Sequence, residues 1–138
     1  MMKKDCVFCS IKKEEKILET RYCYVYPDRY PLSKGHLLVI PKKHYESIVE
    51  IPDDVLYDVI KTIKLMEKKL IKKLKVKGMD IRENYRPFIP ESTMRKNHIH
   101  FHVIPRSWKD VIFTQKGSVK RREISAREKG RLIKLLKV

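Results

Sequence analysis

From Asn97 to Arg106 apolar and polar positions alternate, with Ile99, Phe101 and Val103 on one parity and His98, His100 and His102 on the other. Side chains two residues apart on a strand share a face. β-branched and aromatic residues favour that conformation, so the pattern predicts a strand with one packing face and one row of imidazoles. A helix would scatter the three histidines around its circumference. Farther back the period changes: Leu56, Val59, Ile63, Met66, Leu70 and Leu74 recur at three- and four-residue steps behind Pro52-Asp53-Asp54. That spacing predicts one long helix, ended by Gly78. The run Ile17 to Tyr26 predicts one or two strands meeting near Glu19-Thr20, and His36 to Pro41 predicts a buried central strand stopped by its proline. Met79 to Tyr85 alternates as a further strand, and Ser125-x-x-Glu128 has the form of a capping box before Leu132, Ile133, Leu135 and Leu136, predicting a short C-terminal helix. The segments 27–35 and 86–96 are loops by their prolines and charges.

The length of 138 residues suits one domain with a real core. We take 1–106 as the core and 107–138 as a basic C-terminal extension, with the terminal helix, of the same domain. Lys and Arg number 33 against 17 Asp and Glu, a field that favours anions. Abundant Lys and Glu beside one Gln (Gln115) and two Asn (Asn84, Asn97) is also a pattern of proteins working at high temperature, so the basicity has two readings. The lysines between the apolar helix positions form a solvated face on the simpler of them. No signal-peptide run and no segment of membrane-spanning length is present, which predicts a soluble, cytoplasmic protein with no membrane partner.

An odd count of three cysteines argues against a disulfide framework and leaves metal ligation or burial. Cys6-x-x-Cys9 has spacing that lets two thiolates reach one tetrahedral ion, which is half a zinc site. Cys23, among aromatics, is expected to be buried. His44 lies just past a strand end, and its immediate neighbours suggest a surface residue in a basic loop. A neutral imidazole is a good nucleophile toward phosphorus, and a neighbouring histidine can donate a proton to the phosphate or its leaving group. The histidine row therefore points to phosphoryl or nucleotidyl transfer, with a zinc site as the competing use of the same face.

Taken together, Cys6-x-x-Cys9, the segment from Pro27-Asp28 through Gly35-His36-Leu37-Leu38-Val39-Ile40-Pro41-Lys42-Lys43-His44, and His98-x-His100-x-His102 followed by Pro105-Arg106 resemble the histidine triad (HIT) superfamily of nucleotide hydrolases and transferases, in its zinc-bearing branch. The resemblance implies an α+β, HIT-like fold: a five-stranded antiparallel sheet, one long helix packed on it, a short C-terminal helix, and a homodimer. It implies a nucleotide hydrolase or nucleotidyltransferase acting at the α-phosphate of a purine nucleotide derivative, a phosphoramidate or dinucleoside polyphosphate, through a covalent nucleotidyl-histidine intermediate. His100 is then the nucleophile and His102 its protonating partner. Asp28 falls where the family contacts the ribose hydroxyls, and His36 where a further histidine lines the pocket. Structural Zn2+ would take Cys6, Cys9, His44 and His98, which turns His44 from a surface residue into a ligand.

The chain departs from the family before the triad. Taking Asn84 as the family's asparagine, a longer, proline-punctuated loop replaces the Gly-rich one ending in Gly-Gln-Ser/Thr, leaving Ser92, Thr93 and Arg95 as replacement substrate contacts. Arg95 stands where the family has Ser/Thr, and a guanidinium suits an anionic leaving group better than an amine. Two alternatives stay open: a non-catalytic nucleotide or nucleic-acid binding module, and a deadenylating enzyme on adenylated nucleic-acid ends.

Overall fold

The computed structural model describes residues 6–84, 97–108, 110 and 122–137. The strands are β1 (Leu18–Glu19), β2 (Cys23–Pro27), β3 (Leu37–Pro41), β4 (Gly78–Glu83) and β5 (Phe101–Arg106). The helices are α1 (Asp53–Leu74) and α2 (Ala126–Leu136). All neighbouring strands pair antiparallel in the order β1-β2-β3-β5-β4, so the last strand in sequence lies inside the sheet. This is the expected five-stranded architecture.

Alternation along the strands divides the sheet into two chemically different faces. Cys23 and Val25 of β2, Leu37 and Val39 of β3, and Phe101 and Val103 of β5 pack on the α1 side, against Val55, Val59, Ile63, Met66 and Leu70. The apolar stripe of the helix is thus its buried face, as its period required. On the opposite face Tyr24, Tyr26, Leu38 and Ile40 are covered by the N-terminal segment through Cys6, Phe8 and Cys9. Tyr24 donates its hydroxyl proton to the Phe8 carbonyl and fastens that cover to the sheet.

Two boundaries differ from the sequence expectation. The long helix stops at Leu74 because Lys75 takes the left-handed conformation (φ 56°), while Gly78 opens β4. An αL residue ends the helical hydrogen-bond pattern whichever side chain it carries, so the nearest glycine was a misleading stop signal. His98 and His100 precede the ladder of β5 and lie in its extended lead-in. Their alternation persists there, since Ile99 enters the helix-side core and donates its N–H to Tyr45 O at 2.8 Å.

The capping box forms as expected at α2, where Ser125 accepts from the Glu128 N–H at 3.1 Å. Leu132 and Leu136 enter the same core as α1. Lys129 reaches back to Glu15 (2.6 Å) and the Tyr26 hydroxyl (3.1 Å), tying α2 to the start of the chain. Cys23 is fully buried, and burial together with the Asp58 carboxylate pushes its thiol up to about 12, which leaves it inert as a nucleophile. Among the described residues, no helix is long and apolar enough to cross a membrane.

Candidate active site and metal centre

The turn between β2 and β3 sets the first part of the site. Gly35 has φ 90°, and a Cβ there would stand 2.9 Å from Leu74 Cδ1, so the position needs glycine both for its backbone angle and for space. This tight turn delivers His36 into the sheet with 1 % of its surface exposed. The Leu32 N–H donates to His36 Nδ1 at 3.0 Å, which makes Nδ1 the acceptor and places the imidazole proton on Nε2. His36 Nε2 lies 2.9 Å from His102 Nδ1 and 3.2 Å from Asp28 Oδ2. His102 therefore accepts at Nδ1 and carries its own proton on Nε2.

Asp28 sits behind this relay. Its Oδ1 accepts the Tyr30 N–H at 2.8 Å, and its Oδ2 lies 3.7 Å from His102 Nδ1, so a positive charge on either ring faces a buried carboxylate. Asp28, His36 and His102 thus come together around one carboxylate oxygen.

His100 has the opposite tautomer. Its Nδ1 lies 2.9 Å from the His98 carbonyl, which can only accept, so Nδ1 carries the proton and Nε2 keeps a lone pair. Burial lowers its pKa, opposed in part by that hydrogen bond, and the ring is neutral at physiological pH. The rings of His100 and His102 are 4.9 Å apart, and Phe8 packs on His100 at 5.1 Å. The role of Phe8 had no signal in the sequence beyond its place between two cysteines.

His98 turns toward a second cluster. Its Nε2 donates to the Pro41 carbonyl at 2.9 Å, which leaves Nδ1 as a lone pair facing Cys6 Sγ at 3.3 Å and Cys9 Sγ at 3.5 Å. His44 Nδ1 stands 3.4 Å from Cys9 Sγ. The four donor atoms all lie within 4.8 Å of one another; Cys6, Cys9 and His98 are buried and His44 is half-buried. Sulfur and nitrogen ligands around one tetrahedral zinc stand about 3.3–3.8 Å apart, and the three sulfur–nitrogen separations above fall in that range. Holding a ligating histidine through its other ring N–H to a carbonyl is the usual outer-shell arrangement.

Burial holds His98 down at about 4, against an ordinary value near 6.5. In the metal-free protein the unfolded state therefore binds a proton that the folded state refuses between those values. The stability this ring contributes is complete above pH 6.5 and falls away toward pH 4, by about 3 kcal/mol. Urea unfolding of the chelated protein at pH 7 and pH 4.5 checks it: an acid midpoint no lower than the neutral one would contradict the assignment of a neutral His98.

The structure thus brings Cys6, Cys9, His44 and His98 into one cluster, and Asp28, His36, His100 and His102 into an adjoining one. Asn84 lies one residue beyond β4, half-buried. Ser92, Thr93 and Arg95 lie outside the described residues.

A five-stranded antiparallel sheet that presents a graded histidine row beside a Cys2His2 cluster defines a histidine triad protein. The HIT domain family matches residues 11–109, and the chain belongs to that family. It is 38% identical over 119 residues to an uncharacterised HIT-like protein of Methanocaldococcus jannaschii, covering 83% of this chain and 89% of that protein. It is 34% identical over 105 residues to an adenosine 5'-monophosphoramidase of Saccharomyces cerevisiae, covering 73% of this chain but 62% of the yeast protein. Among solved structures, a Zn-bound histidine triad family protein from Mycobacterium smegmatis superposes with a TM-score of 0.72 at 28% identity, over 96% of this chain and 93% of that one.

Proposed function

We propose that this protein is a hydrolase of nucleotide derivatives that works at the α-phosphate through a nucleotidyl-His100 intermediate. One observation carries the reading: neighbouring imidazoles held in complementary tautomers, a lone pair on His100 Nε2 and a proton on His102 Nε2. A nucleophile and an acid are thereby set side by side without a change of conformation. The yeast relative's adenosine phosphoramidase activity favours adenosine derivatives as substrates.

In the first half-reaction the His100 Nε2 lone pair bonds to phosphorus while the bond from phosphorus to the leaving nitrogen or oxygen breaks. His102, held by its Nδ1 accepting from His36 Nε2, gives its Nε2 proton to the leaving group. In the second half, water adds to phosphorus, its proton passes to His102 Nε2, and the bond from phosphorus to His100 breaks. The sum is one water consumed, with a nucleoside monophosphate and the protonated leaving group released. Asp28 serves the relay with one oxygen, and the ribose hydroxyls remain its proposed ligand on the pocket side. Ser92, Thr93, Arg95 and Asn84 are proposed to line the phosphate and leaving-group side.

We further propose Zn2+ on Cys6, Cys9, His44 and His98, where it would supply rigidity and hold both cysteines deprotonated, with no part in the bond changes. Burial pushes the Cys6 thiol up, so a cation is what allows a thiolate there. The protein is also proposed to act in the cytoplasm as a homodimer.

Incubation with an adenosine phosphoramidate, rapid acid-free quenching and intact-mass analysis should show a transient adduct one adenylyl group heavier, with AMP and free amine accumulating. With diadenosine triphosphate in oxygen-18 water, label found on ADP instead of on AMP would refute attack at the α-phosphate.

A further inference from the structure

Helix α1 carries its charge in two blocks. Asp53, Asp54 and Asp58 occupy its first two turns, and from Lys61 to Lys77 the chain places eight lysines against one acidic residue, Glu67. At about 100° a residue, Lys61, Lys64, Lys68, Lys72 and Lys75 fall within about 80° of arc. They stand on the side opposite Val55, Val59, Met66 and Leu70, which fill the core. All five are exposed. With about 1.5 Å of rise a residue they form a straight row about 21 Å long, close to one positive charge for every turn.

Neither charge pairing nor the helix dipole explains the row. Among the described residues none of the five has an ion pair or a side-chain hydrogen bond, and Lys61 alone has a ring contact, 5.4 Å from the Tyr57 centroid. Lysines that serve stability at high temperature do so in networks with acids. Here Lys64, Lys68 and Lys72 follow one another at four-residue steps, where like charges repel. The helix dipole favours cations only in the last turn, which holds Lys72 and Lys73. An interfacial helix sinks an apolar face into a bilayer. The apolar stripe of α1 is committed to the sheet, and its exposed apolar residues, Tyr57, Ile60, Leu65 and Ile71, are interrupted by the lysines. A row of unpaired ammonium groups on a rigid, convex helix is complementary to a line of phosphates.

We propose that the outer face of α1 is a docking surface for the phosphate backbone of duplex DNA, held without regard to sequence. Duplex DNA presents one negative charge for about each 1.7 Å of its axis, and every lysine that meets a phosphate releases a counterion. A single strand is held by aromatic platforms under its bases. Tyr57 is the one aromatic residue of the helix, and Lys61 already covers its ring. Duplex RNA is met partly through its 2′-hydroxyls, and no hydroxyl or amide side chain stands at the surface between the lysines, since Thr62 is buried. The row also lies on the far side of the sheet from His100 and His102, because α1 covers the face of Val39, Phe101 and Val103. Docking here leaves the histidine site open to small nucleotides and does not depend on what that site cleaves.

Fluorescence anisotropy of a labelled duplex of about 30 base pairs, titrated with the zinc-loaded full chain between about 50 and about 200 mM salt, tests this surface. Five phosphate contacts predict a slope of log affinity against log salt of about −4.5, or binding about 500-fold weaker across that range. Lys64→Gln/Lys68→Gln/Lys72→Gln should reduce the slope to about −2. Lys13→Gln/Lys134→Gln/Lys137→Gln removes the same charge from other exposed positions and should leave the slope near the wild-type value. Glutamine matches lysine in helix propensity, and an unchanged far-ultraviolet circular dichroism spectrum checks the fold. If the triple variant does not fold, Lys68→Gln alone should lower the slope by about one. An equal loss in both triple variants, or displacement of the duplex by excess AMP, overturns the proposal. So does tighter binding to a single strand or to duplex RNA, or binding to vesicles of anionic lipid but not to the duplex.

Discussion

Replacing His100 with asparagine is expected to lower turnover of an adenosine phosphoramidate by about four orders of magnitude or more, with no adenylyl adduct detectable at any time point. The scale follows from removing a covalent nucleophile, whose loss typically costs nearly all of the catalysis that its partners support. Asparagine preserves the crowding against Phe8 and can still donate to the His98 carbonyl through its amide, so the fold should be retained. AMP binding and metal content serve as the checks of integrity. Their retention with abolished turnover supports the assignment, and a variant that still turns over at more than about one per cent of the wild-type rate would sink it.

The second large effect concerns the metal. Cys9→Ser, or exhaustive chelation of the wild type, is expected to lower the melting temperature by about 10 °C or more and to lower turnover as well. Cys9 stands within 3.5 Å of the Nδ1 atoms of both His44 and His98, so its loss opens the cluster from the centre. The effect on turnover follows from the backbone. The carbonyl that sets the tautomer of His100 belongs to His98, whose ring faces the thiols, so loosening His98 frees His100 to rotate or to exchange its proton. Calorimetry with and without added zinc, alongside elemental analysis, measures both. A chelated protein with an unchanged melting temperature would remove the structural role proposed for the ion.

Much of the fold was legible because its signals are local and periodic. The parity of residues 98–103, the three- and four-residue steps of α1 and the S-x-x-E of α2 each depend on near neighbours, and each appears where it was expected. The termination of α1 was not legible, since the left-handed Lys75 carries no distinguishing side chain. Nor was the local setting of His44 informative, because its partners lie 35 residues away in Cys9 and farther still in His98. The pairing of Arg82 with His102 belongs to the same class: register across 20 residues is fixed by the sheet, and nothing in the sequence around Arg82 announces it. Tautomers were beyond reach for a related reason, since they are set by backbone groups of Leu32, Pro41 and His98 whose direction exists only in the folded chain.

The strand order has a consequence for synthesis on the ribosome. β3 and β4 are both made before β5, yet they never pair with each other, because β5 enters the gap between them. Until that strand emerges, the nascent chain carries two open edges with unpaired backbone groups, which invite association with other chains. The last strand to close the sheet is also the one that carries or abuts every residue of the histidine row. A polypeptide halted short of Phe101 thus has neither a finished sheet nor a working site, and completion of the fold and onset of chemistry fall on the same event.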